Sequence, residues 1–331
     1  MKFPKIYKSK DVNSCILKKK KIGIVGFGNQ ARAQALNLRD SGMEVIIGLR
    51  INSKSRLEAE KSKFICKTIK EVVKESDIIC ILIPDQVMGK VYYDEIEDNL
   101  DKNKTLLFSH GYNIHYNIIK PPKFINIILV APSGAGTELR KHYVDNKGLP
   151  GLFAINQDYD GLANNIALEY CKSIGLTTAG VVKTTFAEET ETDLFGEQVV
   201  LTGSIPKLIQ ISYEVLIDQG YSPAISWLVC YYEVKTIIEM FHSKGFEFMN
   251  SAISDTAEYG GITRGSRIIN EEVKNEMKNI LDEIKSGSFY KEWKREFENK
   301  YHNLEKLRKQ QKDLPIEKIN KYMLKELFNF K

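Results

Sequence analysis

Lys21-Ile22-Gly23-Ile24-Val25-Gly26-Phe27-Gly28-Asn29-Gln30-Ala31 changes its period halfway. Residues 21–25 read as a buried strand, and residues 30–41 carry the apolar spacing of a helix. The G-x-G-x-x-A turn between them is the sign of a dinucleotide site. Its glycines let the backbone approach a pyrophosphate, and the free N–H groups and dipole of the helix start attract the negative charge. The motif is weak alone and strong between a strand and a helix. Gly26, Phe27, Gly28, Asn29 and Gln30 are therefore expected to contact the cofactor. Outward from this turn, apolar runs at 44–49, 78–83, 105–109 and 125–130 alternate with amphipathic segments. Strands separated by helices pair in parallel, so the expected fold is α/β, a doubly wound parallel sheet of the Rossmann type ending near Lys183.

The segment after the second strand selects the dinucleotide. NADH-specific chains place a carboxylate there for the ribose 2′-hydroxyl, whereas this one reads Gly48-Leu49-Arg50-Ile51-Asn52-Ser53-Lys54-Ser55-Arg56. Arg50, Ser53 and Ser55 can donate to a 2′-phosphate, with Lys54 and Arg56 adding positive potential, so NADPH is expected over NADH. Open α/β sheets bind ligands beyond the carboxyl ends of their strands. That rule marks Pro84-Asp85-Gln86 and Ser109-His110-Gly111-Tyr112-Asn113-Ile114-His115, with Gly111 allowing close approach to a ligand. His110 stands where a nicotinamide ring or substrate belongs; a catalytic or positioning role and a structural one are both open, and His115 is expected to pack.

Glu188-Glu189-Thr190-Glu191-Thr192-Asp193-Leu194-Phe195-Gly196-Glu197-Gln198 sets Glu189, Asp193 and Glu197 on one helical face. Stacked carboxylates repel unless a cation neutralises them, so a metal-binding wall is expected; a solvated acidic face is the alternative. Beyond residue 184 the chain reads as helices at 205–220, 224–244, 271–286 and 290–331. Leu208, Ile211, Val215 and Leu216 form a stripe for which core packing is the first explanation, and Trp227, Tyr231 and Tyr232 read as packing residues. The expected domains are residues 1–183, binding NADPH, and residues 184–331, helical and carrying metal, substrate and dimer contacts.

The 331 residues have a net charge of +5 spread along the chain, which argues against a nucleic-acid groove. Cys15, Cys66, Cys80, Cys171 and Cys230 are scattered, odd in number and without C-x-x-C spacing, and read as reduced thiols. No segment has the apolar length of a signal peptide core or a membrane span, so a cytoplasmic location is expected.

The Gly-rich turn, GLRxxSxS, LIPD, HGYNIHY, TTFAEETETDLFGEQ and SDTAEYG occur here in one order. In that order they resemble ketol-acid reductoisomerases of the short, class I type, from about Lys20 to at least Ile284. The resemblance implies a Mg2+-assisted alkyl shift in an acetohydroxy acid followed by NADPH reduction of the resulting keto acid, in branched-chain amino-acid synthesis. It also implies a Rossmann domain, a knotted helical domain, and dimers whose active sites draw on both subunits. By the same resemblance the metal-bridging aspartate falls on Asp193, its partner glutamate on Glu197, a further metal-side glutamate on Glu233, and the substrate serine on Ser254. His110 matches the histidine of the HGFNIH segment, and Gly136 closes the stretch matching A-P-K-G-P-G.

Two positions depart from that pattern. The lysine of A-P-K-G-P-G is Ser133 here, and the glutamate one helical turn before Glu233 is Val229. A hydroxyl lacks the positive charge, and a hydrocarbon cannot ligate Mg2+. Both losses fall on the alkyl shift, while hydride delivery needs mainly positioning. The expected function is an NADPH-dependent reductase acting on a keto or imine group of a small molecule, with isomerisation weakened or lost and two, one or no Mg2+ ions bound. A full reductoisomerase and a non-catalytic NADPH-binding protein are the alternatives.

Overall fold

Nine strands form one sheet among the described residues, which are residues 3–328 of this computed structural model. They are β1 (Ile6–Tyr7), β2 (Lys21–Val25), β3 (Glu44–Gly48), β4 (Ile65–Lys67), β5 (Ile78–Ile81), β6 (Thr105–Phe108), β7 (Asn126–Pro132), β8 (Gly151–Gln157) and β9 (Val181–Lys183). Their order is β1-β9-β8-β7-β6-β5-β2-β3-β4. From β4 through β7 every pair is parallel, with Lys21 opposite Glu44 and Ile22 opposite Ile78. The sheet is not parallel throughout, because β8 returns antiparallel to β7 and β1 runs antiparallel to β9.

The period of two along the strands divides the core between the two faces. Ile22, Ile24, Ile78 and Cys80 pack into one cluster of buried side chains, and Val25, Ile79, Ile81, Leu106 and Phe108 into the other. The strand order switches between β2 and β5, since the chain runs outward from β2 through β3 to β4 and then returns to β5 on the other side of β2. A crevice at the carboxyl ends of those strands is the site such sheets offer a ligand.

The chain divides into two compact units, the first ending at Thr192 and the second beginning at Asp193. The division falls within the helix Phe186–Phe195. In the second unit Tyr213, Trp227, Ile316 and Met323 form the buried centre, flanked by Ile209, Ile217 and Leu324. The stripe expected to be core behaves otherwise: Leu208, Ile211 and Val215 are 48, 46 and 55% exposed. Tyr213 faces inward instead, on the opposite side of the helix Ser204–Asp218. The helix expected over 224–244 is also interrupted, by a π turn at Leu228–Tyr232 between the helices Pro223–Trp227 and Val234–Ser251. The C-terminal region forms three helices, Ser288–Glu298, His302–Lys312 and Pro315–Phe328, and residues 329–331 lie outside the described residues.

Candidate functional site

Gly26 follows β2 with φ at +104°, and a Cβ there would lie 2.5 Å from the Leu82 carbonyl oxygen, so only glycine fits. A Cβ on Gly28 would meet nothing within 4 Å, which leaves the backbone open to a ligand. Gly28 caps the helix Asn29–Asp40 without a side-chain hydrogen bond, so the first-turn N–H groups face that opening. Phe27 is buried edge-on against Phe64 at 5.8 Å and lines the cavity at the turn. The loop after β7 closes on the same turn. Gln30 Nε2 donates to the Gly134 carbonyl at 2.8 Å, and a Cβ on Gly136 would collide with the Asn29 carbonyl. Ser133, exposed at the end of β7, donates its N–H to the Pro150 carbonyl at 2.9 Å and is thereby held at this edge of the sheet.

A cavity of about 220 Å3 continues from the turn, lined by Gly26, Arg50, Ser53, Ser55, Pro84 and Val87 among others. The donors that the sequence assigns to a 2′-phosphate thus share one hollow with the Gly-rich turn. Arg56 does not join them, because its guanidinium donates to the Cys66 carbonyl at 3.2 Å and lies 3.8 Å from Glu60.

Beyond β5 and β6 lies a network of buried polar groups. Pro84 caps the helix Asp85–Val91. Asp85 accepts from Asn113 Nδ2 at 3.1 Å, so its carboxylate serves the 111–115 turn; burial pushes this carboxyl up, against the pull of His110 and Asn113. His110 Nδ1 is 3.1 Å from Glu189 Oε1, and the Gly111 N–H donates to Glu189 Oε2 at 2.7 Å. Glu189 is only 2% exposed. Its carboxylate fixes the histidine and the turn that carries it. Gly111 is glycine for the same packing, since a Cβ would lie 2.5 Å from Thr190 Oγ1 and 2.7 Å from the Phe186 carbonyl. The close approach is by a helix, not a ligand. His115 pairs with Glu191 at 3.5 Å and tilts against Tyr116.

In the second unit Asp193 follows Glu189 by one turn of the same helix and is exposed, as is Glu197. Glu197 belongs to a π turn, Gly196–Leu201, so an α-helical register does not govern its direction. Glu233 is exposed directly after the second π turn, on which Val229 is 47% exposed. Ser254 caps the helix Asp255–Ile268, accepting from the Ala257 N–H at 3.3 Å. Single π turns recur at functional sites, where an extra residue re-aims a side chain. All five cysteines are free thiols, and burial pushes Cys80 up to about 12. No helix among the described residues is long and apolar enough to cross a membrane.

Comparison with known proteins bears on both units. Residues 16–180 match the family described as acetohydroxy acid isomeroreductase, NADPH-binding domain, and residues 186–328 match ketol-acid reductoisomerase, C-terminal domain. The chain is 48% identical over 321 residues to a ketol-acid reductoisomerase (NADP(+)) of Methanocaldococcus jannaschii, covering 97% of each chain. It is 43% identical over 317 residues to the protein of the same name from Clostridioides difficile, covering 96% of each. Among solved structures, an NADH-preferring ketol-acid reductoisomerase from an uncultured archaean superposes with a TM-score of 0.94 at 36% identity, over 98% of this chain and all of that one. An α/β sheet opening at a Gly-rich turn, followed by a helical unit bearing exposed carboxylates, is thus matched along nearly its whole length: the chain belongs to the ketol-acid reductoisomerase family of NADP-dependent oxidoreductases.

Proposed function

We propose that the chain is a cytoplasmic, NADPH-dependent reductase of the ketol-acid type, in which the alkyl shift is weakened relative to hydride delivery. The observation that carries this is Ser133. The loop that holds it is clasped to the Gly-rich turn by Gln30 and Gly136, so position 133 sits at the cofactor edge of the sheet. A neutral hydroxyl stands there, where the resemblance calls for an ammonium. Val229 adds a second loss, an exposed hydrocarbon one turn before Glu233.

Residues 1–183 bind the cofactor in this reading, and residues 184–331 supply the metal and substrate groups. Arg50, Ser53 and Ser55 hold the 2′-phosphate, which makes NADPH the preferred cofactor. Asp193, Glu197 and Glu233 are oxygen donors of the kind that Mg2+ takes, and all three are exposed. When bound, the ion supplies Lewis acidity on the substrate's oxygens. His110, its Nδ1 held by Glu189, is placed to exchange a proton with the substrate oxygen, and the Ser254 hydroxyl, which accepts from Ala257, can donate to a carboxylate. Leu208, Ile211 and Val215, exposed on one helix, support a homodimer.

The relatives favour a second reading, a full reductoisomerase of branched-chain amino-acid synthesis, because both bear that enzyme's name at 43 and 48% identity. Acetolactate and a pre-formed 3-hydroxy-2-keto acid, each offered with NADPH and Mg2+, separate the two. Reduction of the keto acid with little turnover of acetolactate supports the proposal. Comparable turnover of both establishes the full activity, and binding of NADPH with reduction of neither leaves a cofactor-binding protein.

A further inference from the structure

The helix Asp85–Val91 passes into a π turn, Tyr92–Ile96, that carries Glu95. Val87 and Val91 line the cavity that holds the Gly-rich turn and Arg50. Glu95 lines a neighbouring cavity of about 590 Å3 together with Leu49, Arg50, Asn52, Thr68 and Lys70. The two hollows share Leu49 and Arg50, so one groove runs from the turn, over aliphatic walls, to a polar end. Ile51, 76% exposed, adds apolar surface at that end.

Glu95 and Lys70 have no ion-pair or side-chain hydrogen-bond partner among the described residues, although each lines this cavity and Glu95 is half-buried. One acceptor and one donor thus stand unpaired at the polar end of the groove. Adenine has the complementary form: two apolar faces, and an edge with a donating exocyclic amine beside the accepting ring nitrogen N1. A second phosphate contact fits less well, since Glu95 would oppose an anion in the same hollow.

We propose that Glu95 and Lys70 read the edge of the cofactor's adenine, the Glu95 carboxylate accepting from the exocyclic amine and the Lys70 ammonium donating to N1. The inference rests on the NADPH reading and deepens it, by assigning recognition of the base to residues apart from those assigned to the 2′-phosphate.

The test titrates the full-length protein, without substrate, with NADPH, NADH and deamino-NADPH, following nicotinamide fluorescence. Deamino-NADPH carries hypoxanthine, whose edge has a carbonyl for the amine and a protonated N1. Wild-type protein is expected to bind it at least about tenfold more weakly than NADPH, because both contacts to the base edge are mismatched. Glu95→Gln, whose amide can donate to the hypoxanthine carbonyl, should narrow the gap several-fold, with the Lys70 mismatch at N1 remaining. Lys70→Met, on an exposed side chain, should narrow the same gap and leave the NADPH/NADH ratio unchanged. Equal binding of the two bases by wild-type protein, or an unaltered gap in Glu95→Gln, overturns the proposal. Loss of the NADPH/NADH preference in Lys70→Met makes that lysine a phosphate contact and overturns its share. Arg50→Ala tests the underlying assignment separately: it should erase the NADPH/NADH preference while base discrimination persists.

Discussion

The two units spend their apolar residues differently. In the first, the central strands β2, β5, β6 and β7 are buried on both faces, and even the charged groups within are partnered: Glu169 takes hydrogen bonds from the Ile16 and Leu17 N–H groups at 2.8 Å, and Lys104 donates to the carbonyls of Val73, Lys74 and Ser76. In the second, a small centre around Trp227 coexists with large side chains left in solvent, Val200, Leu201, Ile211 and Ile225 among them. A sheet covered on both faces completes its own core, whereas an apolar helix face must be covered by something else. The first unit therefore accounts for itself as one chain; the second is the part whose chemistry and cover are expected to come from metal and a second copy.

The strongest way to break this comparison is to restore the two groups that the proposed reading finds missing from the alkyl shift. Ser133→Lys combined with Val229→Glu is expected to raise acetolactate conversion by two decades or more, since each electrostatic donor at such a site is worth roughly 2.7–4 kcal/mol. Reduction of the pre-formed keto acid should change little. Efficient acetolactate turnover by the unaltered protein would show that neither position limits the shift. Next in size is the exposed stripe. Ile211→Glu should weaken dimerisation by about ten- to a hundredfold, the worth of about 1.5–3 kcal/mol for one buried aliphatic side chain, and light scattering over a dilution series reads it. A wild-type protein that is monomeric at every concentration sinks the dimer.

A third substitution probes the first unit at its most constrained polar site. Glu189→Ala leaves the buried Gly111 N–H without its acceptor and His110 Nδ1 without its partner. A loss of about 1–3 kcal/mol in denaturant unfolding is expected, together with a changed tautomer of His110 in its nitrogen NMR signals. An unchanged tautomer would show that Glu189 does not orient the ring.

The sequence made the centre of the sheet legible because β2, β3, β5, β6 and β7 are continuous apolar runs between turn signals. It hid the edges. β1 and β4 have two and three residues, and Ile65 of β4 is 62% exposed, so neither carries a burial pattern. β8 was hidden for another reason: an antiparallel return breaks the alternation of strand and helix from which the parallel order was inferred. At the site, the Gly-rich turn and the donors after β3 were legible because local geometry dictates them. Glu189 was not. Helical spacing says which residues share a face but not what that face meets, and Glu189 meets the backbone of Gly111 rather than solvent. The stripe of the helix Ser204–Asp218 failed in the same manner, because a period cannot distinguish a core within the chain from an apolar face that the chain leaves exposed.

The smallest expected effect compares the units through equivalent local devices. In the first unit Thr68 caps the helix Ile69–Glu75 in a reciprocal box, its N–H donating to Glu71 Oε2 at 2.8 Å. In the second Asn270 caps the helix Glu271–Lys285, its Oδ1 accepting from the Glu272 and Val273 N–H groups at 3.0 and 3.1 Å. Alanine at either place should cost about 1 kcal/mol, because first-turn N–H groups lose a fixed acceptor. The consequence should nevertheless differ. Around Thr68 the residues Ile69, Val72 and Val73 are buried in the sheet's core, so the loss should appear as a uniform shift of the first unit's unfolding. Around Asn270 only Ile284 of the capped helix is buried, so faster amide exchange should be confined to that helix's first turns. Exchange that spreads through the whole second unit in Asn270→Ala would mean that this unit unfolds as one cooperative body, and that it stands on a firmer core of its own than its exposed apolar faces suggest.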